Sequence, residues 1–567
     1  MSVAEHGCRD FLRASVIITL AAMAYIYWFA EPDGPIFHRL LYRHDLAGAI
    51  GLLFLLALLP LSKRVALDPT AIALAVARYH WLIAGMVWLL LSIGSRYLYH
   101  SHPLSMDEYA ASFQAAVFAN GSLAGRVPPQ LMDWVLPDEF QGHFFAVNRV
   151  TGDLASAYWP GFALLLAPFV WLGIPWACNP LIVAASVLLA GQLAREVVGQ
   201  ESARGWAILL ALASPAFTLN GISFYSMPAH LLFNLIFVWL LLRPSPGRVF
   251  LAGVVGSFAL VLHNPYPHLL FSLPWLAWLV FRRDGGMRNA LLLALGYMPL
   301  LLLLGVGWIA TLGALRQLGQ ATVTSGAQAE QWPWLVRVAI GLTRPFHFPD
   351  EITLSRRLAS LVKLWLWSAP FLLFMAVLAA NRLRNPLLKL MGASLLLTIL
   401  GYFLVPVTQG HGWGDRYSHS AFGVLPVLAA AWMCSTPAQG NRDATLLPLV
   451  AKAALLSLLL ATGLRAWQIG TFMNDHLAQL PPYPKDRPAI VFVGKGYYSR
   501  DLVQNDPWLR TQPWVFASRG KDVDIDVAEK LLPGGCIYAD GWHGWTFAVP
   551  GDKSRQPSVT TSKPSPC

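Results

Sequence analysis

The sequence predicts an all-α polytopic membrane protein of about thirteen transmembrane helices plus a re-entrant or interfacial helix, with a small outward-facing α/β domain at the C-terminus. Three observations predict it. Of 567 residues, 56% are hydrophobic and 13% charged, whereas soluble domains carry roughly 25% charged residues. Mean hydropathy is +0.50, and many apolar runs reach about 17–23 residues, enough to cross a hydrocarbon core of roughly 30 Å. Lys and Arg gather in alternate short loops, the pattern that sets orientation. A soluble enzyme, a disordered chain and a coiled coil are excluded. So is a nucleic-acid partner, because the net charge of +11 is spread over loops between apolar spans.

Apolar runs lie near 12–30, 46–62, 80–98, 158–174, 176–194, 205–222, 228–242, 248–262, 267–281, 290–312, 361–380, 388–407, 417–434 and 446–467. The first follows Arg9 and Arg13 without a small-residue cleavage site and reads as an anchor. Lys63, Arg64 and Arg78, then Arg243 with Arg248, then Arg282, Arg283 and Arg288, then Arg382, Arg384 and Lys389 mark cytoplasmic turns. An inside N-terminus and an outside C-terminus demand an odd number of crossings. The run 158–174, interrupted by Pro160, Gly161 and Pro168, is therefore expected to be re-entrant or interfacial and to border the site. The expected organisation is 1–98 as N-terminal spans and 99–157 as a first large outer loop. A membrane core follows over 158–467, including the outer loop 313–360, then the α/β domain over 468–567. In that domain 488–493 and 536–538 read as strands, 524–532 as a helix, and the polar end after about 550 as disordered. Five cysteines show no paired metal or redox spacing, and whether Cys536 and Cys567 are bridged stays open.

The sharpest local signal is Ser105-Met106-Asp107-Glu108-Tyr109, two carboxylates at the start of a helix just outside the membrane. That placement suits a general base facing a site at the lipid boundary. Ser105 and Glu108 equally fit a capping box, with Asp107 favoured by the helix dipole. His411-Gly412-Trp413-Gly414-Asp415-Arg416-Tyr417 fills a short outer loop. Its Arg416 could clamp an anion, or sit in an interfacial belt paired to Asp415. His263 and His268 flank an Asn-Pro-Tyr-Pro turn. Arg344, beside Pro345 and His347, is the outer-loop cation best placed for an anionic lipid, while Arg356 and Arg357 are expected to snorkel to headgroups. No Asp or Glu falls inside any of the runs given above, which disfavours an ion-coupled transporter.

In order and spacing these residues resemble the GT-C superfamily of membrane glycosyltransferases, which holds the aminoarabinose transferases and protein O-mannosyltransferases. The resemblance spans about 80–435. Asp107-Glu108-Tyr109 matches the family's acidic pair, Tyr158-Trp159-Pro160-Gly161 its Tyr/Pro-rich segment, and Gly414-Asp415-Arg416-Tyr417 its Gly-x-Arg-Tyr element. His263-Asn264-Pro265 stands where relatives often have an Arg-Pro pair, and two extra spans precede the acidic loop. The resemblance implies a polyprenyl-phosphate-linked sugar as donor and inverting transfer to an envelope acceptor (lipid, glycan or protein) on the outer face, and the lack of eukaryotic retention signals points to a bacterial inner membrane. Asp107 would be the base and Glu108 would orient the acceptor or cap the helix. Arg416, Arg344, His411 and His263 would hold the donor phosphate, and Tyr109, Tyr158, Trp159, Tyr417, His268 and His347 would line the pocket. A divalent metal is optional, with Asp107 as its ligand; no other cofactor is implied. The alternatives are a lipid or polysaccharide transporter or flippase, a non-catalytic assembly subunit of the same fold, and an oligosaccharide ligase or polymerase.

Overall fold

The runs rich in Leu, Ala and Val are helical, because in a bilayer only an internally bonded backbone meets its hydrogen-bond demand. The structure, a computed structural model, describes residues 3–62, 65–282, 285–317, 343, 345–382, 384–435, 443–494, 496, 499–551 and 567. Six described helices are long and apolar enough to cross a membrane: Arg9–Phe29, Ile36–Leu61, Pro175–Val198, Gly286–Arg316, Pro386–Phe403 and Leu446–Leu477. Two pairs, Pro69–Arg78 with His80–Tyr97 and Glu201–Leu212 with Pro215–Ile222, are bent by 76° and 75° and raise the number to eight if each is one span. Shorter apolar helices include Gly161–Trp171, Met227–Leu241, Pro246–Leu260, Leu372–Arg382 and His419–Ser435. The chain is a mostly helical, multi-pass membrane protein.

Several boundaries differ from expectation. The second span begins at Ile36, ten residues before the apolar run, so it contains Asp45. The expectation of carboxylate-free spans is therefore corrected. Hydropathy misses Asp45 because its charge is balanced inside the fold. The run 361–380 is two helices, Glu351–Leu366 and Leu372–Arg382, with Phe371 at φ 70° between them. The break is tolerated because its backbone finds partners: the Ala216 amide donates to the Trp367 carbonyl (3.0 Å) and the Ala369 amide to Ser214 Oγ (3.0 Å). The last span runs on to Leu477, past the boundary expected at 467.

The chain divides into two compact units. The first, Met1–Tyr99, Trp176–Leu304 and Thr324–Ile469, is the helical body. Small residues let its helices approach closely. A Cβ on Gly253 would lie 2.2 Å from the Leu293 carbonyl oxygen, and one on Gly296 would lie 2.2 Å from that of Phe250.

The second unit joins His100–Pro175, Gly305–Val323 and Gly470–Cys567. It holds a three-stranded antiparallel sheet that the sequence reading did not foresee, β1 (Gly125–Arg126), β2 (Phe145–Val147) and β3 (Asp153–Ser156), in the order β1-β3-β2. The C-terminal region supplies a four-stranded sheet, β4 (Ala489–Val493), β5 (Trp514–Ala517), β6 (Cys536–Gly541) and β7 (Gly544–Ala548), in the order β5-β4-β7-β6. Only β4 and β5 run parallel, followed by the helix Lys521–Leu531. Its apolar face (Ile490, Phe492, Phe516, Phe547) shares one core with Met106, Tyr109, Phe113 and Val117 of the helix Met106–Ala119. A Cys536–Cys567 disulfide settles the pairing left open. The expected disordered end lies mostly outside the described residues.

Candidate functional site

In the second unit, the acidic pair opens the helix Met106–Ala119, with Ser105 in extended geometry at its N-cap (φ −135°, ψ 167°). The two carboxylates divide the work. Glu108 is fully buried and accepts the backbone N–H of Leu104, a reach-back bond of the capping-box kind. The Met106 amide donates to Asp501 Oδ1 (3.0 Å), so the C-terminal region caps the same helix end. Asp107 Oδ1 accepts the hydroxyl of Tyr158. Tyr158 is itself held, because Trp308 Nε1 donates to its carbonyl (2.7 Å).

The remaining aromatic candidates of this unit have different settings. Tyr109 lies in the core with its hydroxyl donating to the Asn505 carbonyl (2.7 Å) and accepting the Asn505 amide (2.8 Å). Burial pushes its phenol well above the ordinary value. Trp159 is partly exposed beside Tyr158, at the turn into Gly161–Trp171.

In the first unit, Arg416 sits in a loop shaped by glycines. Gly410, Gly412 and Gly414 have φ of 62°, 138° and 74°. At Gly412 a side chain is also excluded by space, since a Cβ would meet Arg416 Cδ at 2.3 Å. Arg416 donates to the carbonyls of Gln409 (2.6 Å) and His411 (3.1 Å), and its guanidinium lies 4.1 Å from the ring centroid of Tyr225. Asp415 does not form the expected surface pair with it. Its Oδ2 accepts the Ser418 amide (3.0 Å) and hydroxyl (2.5 Å). Burial raises the Asp415 pKa above the usual carboxylate value, outweighing those bonds and the nearby charge of Arg357. His411 is buried.

Arg357 was missed. Expected at the headgroups, it is 2% exposed, donates to the carbonyls of Val405 and Val407, and lies 4.3 Å from the ring centroid of Tyr417. The Tyr417 hydroxyl bonds the Val407 carbonyl (3.0 Å). This buried arginine was visible in the sequence only as one of two adjacent cations, with nothing to say which turned inward.

The histidines separate. His268 is fully buried between Asn234 Oδ1 (2.7 Å) and the Tyr297 hydroxyl (2.6 Å), and Gly256 leaves room for both, since a Cβ there would lie 2.3 Å from the hydroxyl. His263 is partly exposed at the turn before Tyr266–Val280, and His347 is exposed with its amide donating to the Leu404 carbonyl (2.7 Å). Arg344 lies outside the described residues. Among the described residues no group of three or more His, Cys, Asp or Glu is placed to hold a metal ion.

No family model and no curated protein matches the chain. Solved structures similar to it include two of one protein. ArnT from Cupriavidus metallidurans bound to undecaprenyl phosphate aligns at TM-score 0.51 and 12% identity, covering 84% of this chain and 100% of that one. The apo state of the same protein aligns at 0.50 and 14%, covering 83% and 98%. The chain thus shares the fold of ArnT over most of its length.

Proposed function

We propose that this protein is an inverting glycosyltransferase that moves a sugar from a polyprenyl-phosphate donor to an envelope acceptor, on the outer face of a bacterial inner membrane. The observation that carries the reading is the Asp107 carboxylate at the start of its helix, held by Tyr158, on a fold that covers the whole of ArnT. A carboxylate oriented by a phenol at the start of a helix suits proton abstraction.

In the reaction, an acceptor hydroxyl or amine attacks the anomeric carbon and its proton passes to Asp107. The bond from the anomeric carbon to phosphate oxygen breaks, and its electron pair leaves with polyprenyl phosphate. Arg416 stabilises that departing charge, with Arg344, His411 and His263 as further donors to the phosphate. Preorganised cations of this kind supply roughly 3–4 kcal/mol each in a partly dry site. Glu108 acts on helix geometry, and Tyr158, Trp159, Tyr417 and His347 stand as pocket residues. About thirteen crossings, with 158–174 re-entrant or interfacial, belong to the same reading. The transporter alternative gains nothing from Asp45, whose two oxygens are engaged by Lys363, Arg465 and Trp367.

The test is release of polyprenyl phosphate by purified protein from a panel of polyprenyl-phosphate sugars, with a membrane extract as acceptor source. Wild type should turn over, and folded Asp107→Asn should lose roughly a hundredfold or more. Equal release by both removes Asp107 as base. Release by neither from any donor removes the enzyme reading.

A further inference from the structure

The second unit contains a cavity of about 170 Å³ lined by Asp133, Asp138, Arg500, Ser518 and Arg519 among others. It lies beyond the carboxyl end of β5, one of the two parallel strands, where ligands of open α/β sheets gather. Its walls come from two distant parts of the sequence. Asp133 and Asp138 belong to the first outer loop, while Arg500, Ser518 and Arg519 belong to the C-terminal region.

The lining is fixed from behind. Asp524 Oδ1 accepts the Arg519 amide (2.9 Å) and Trp134 Nε1 (3.0 Å), and its Oδ2 accepts the Ser518 hydroxyl (2.6 Å). The Arg519 guanidinium lies 5.3 Å from the Trp134 ring centroid. In front, acids and guanidiniums interleave: Arg149 with Asp133 (2.8 Å) and Asp138 (3.6 Å), Arg519 with Asp133 (2.9 Å), and Arg500 with Glu139. Of the lining groups, Arg500 and Arg519 are balanced by Asp133 and Asp138, so the cavity offers no net attraction for an anion. What it offers is alternating acceptors and donors in planar, two-pronged groups. Neighbouring hydroxyls of a sugar ring can donate to a carboxylate and accept from a guanidinium at once.

We propose that this cavity is a subsite for an uncharged sugar unit, which makes the acceptor a glycan; the acceptor role rests on the glycosyltransferase reading, while sugar binding does not. The full-length protein in detergent would be titrated with neutral oligosaccharides of gluco, galacto and manno configuration, and with inorganic phosphate, by saturation-transfer NMR. At least one sugar should bind, phosphate should not, and Asp133→Asn should weaken the sugar roughly tenfold, the worth of one charge-assisted hydrogen bond. Asp138→Asn, at a side chain 66% exposed and so harmless to folding, should weaken it in the same direction. No binding by any sugar, binding of phosphate in their place, or affinity unchanged in both variants overturns the proposal. Sugar binding that persists while no donor is turned over sinks the enzyme reading and upholds the subsite. Normal turnover without sugar binding does the reverse.

Discussion

The Nζ of Lys363 lies 2.6 Å from Oδ2 of Asp45, and neither side chain is more than 2% exposed. Arg465 Nη1 closes on Oδ1 at 3.1 Å and Trp367 Nε1 at 2.6 Å. A Cβ on Gly48 would stand 2.1 Å from the Arg465 guanidinium, so the glycine makes the space that this side chain fills. Three helical segments, Ile36–Leu61, Glu351–Leu366 and Leu446–Leu477, are joined at one carboxylate. Breaking such a cluster from the acidic side leaves two buried cations uncompensated.

Asp45→Asn should therefore cost about 3–5 kcal/mol, read as a large fall in the thermal midpoint of the detergent-purified protein. A triple change to apolar residues of similar size at Asp45, Lys363 and Arg465 should recover much of the loss. A midpoint unchanged in Asp45→Asn would show the cluster to be energetically idle.

Tyr158→Phe removes the hydroxyl that donates to Asp107 and leaves the ring in place. A hydrogen bond to a charged group is worth about 1.5–3 kcal/mol, so kcat should fall roughly tenfold to a hundredfold while the thermal midpoint hardly moves. In an Asp107→Asn background the same change should add almost nothing, since a positioning residue has no effect once its target is gone. Additive losses would place Tyr158 elsewhere in the mechanism.

Gly412→Ala should mimic loss of Arg416. The new methyl meets Arg416 Cδ, and the backbone at φ 138° disfavours any side chain. Polyprenyl phosphate should inhibit this variant and Arg416→Ala with similarly weakened affinity, while Gly410→Ala, where nothing lies within 4 Å of a Cβ, should bind more nearly as wild type does.

The second unit should lose stability in acid through Asp153. Burial raises its pKa, but the bond and charge of Arg126 (2.6 Å) and the bond from Thr151 outweigh that and leave it below the usual 3.8. With the folded value depressed, the stabilisation is complete above the unfolded value near 3.8 and is lost as pH falls through the folded one. Thermal midpoints between pH 6 and pH 3 should drop less steeply for Asp153→Asn than for wild type; equal slopes would refute the assignment.

The sequence by itself determined that the chain is a multi-pass helical membrane protein with an α/β C-terminal region and an acidic pair opening a helix. Apolar length, strand-like runs such as 489–493 and Asp107-Glu108 after Ser105 are local signals, and local physics suffices for them. Only the tertiary structure decided that Glu108 caps while Asp107 meets Tyr158, that Tyr109 and His268 are tied into cores, and that Arg357 turns inward. It alone placed Asp45 in a span, because a charge is tolerated there only through partners at 363 and 465, hundreds of residues away. Hydropathy sums neighbours along the chain, whereas the energy of a buried charge is set by neighbours in space.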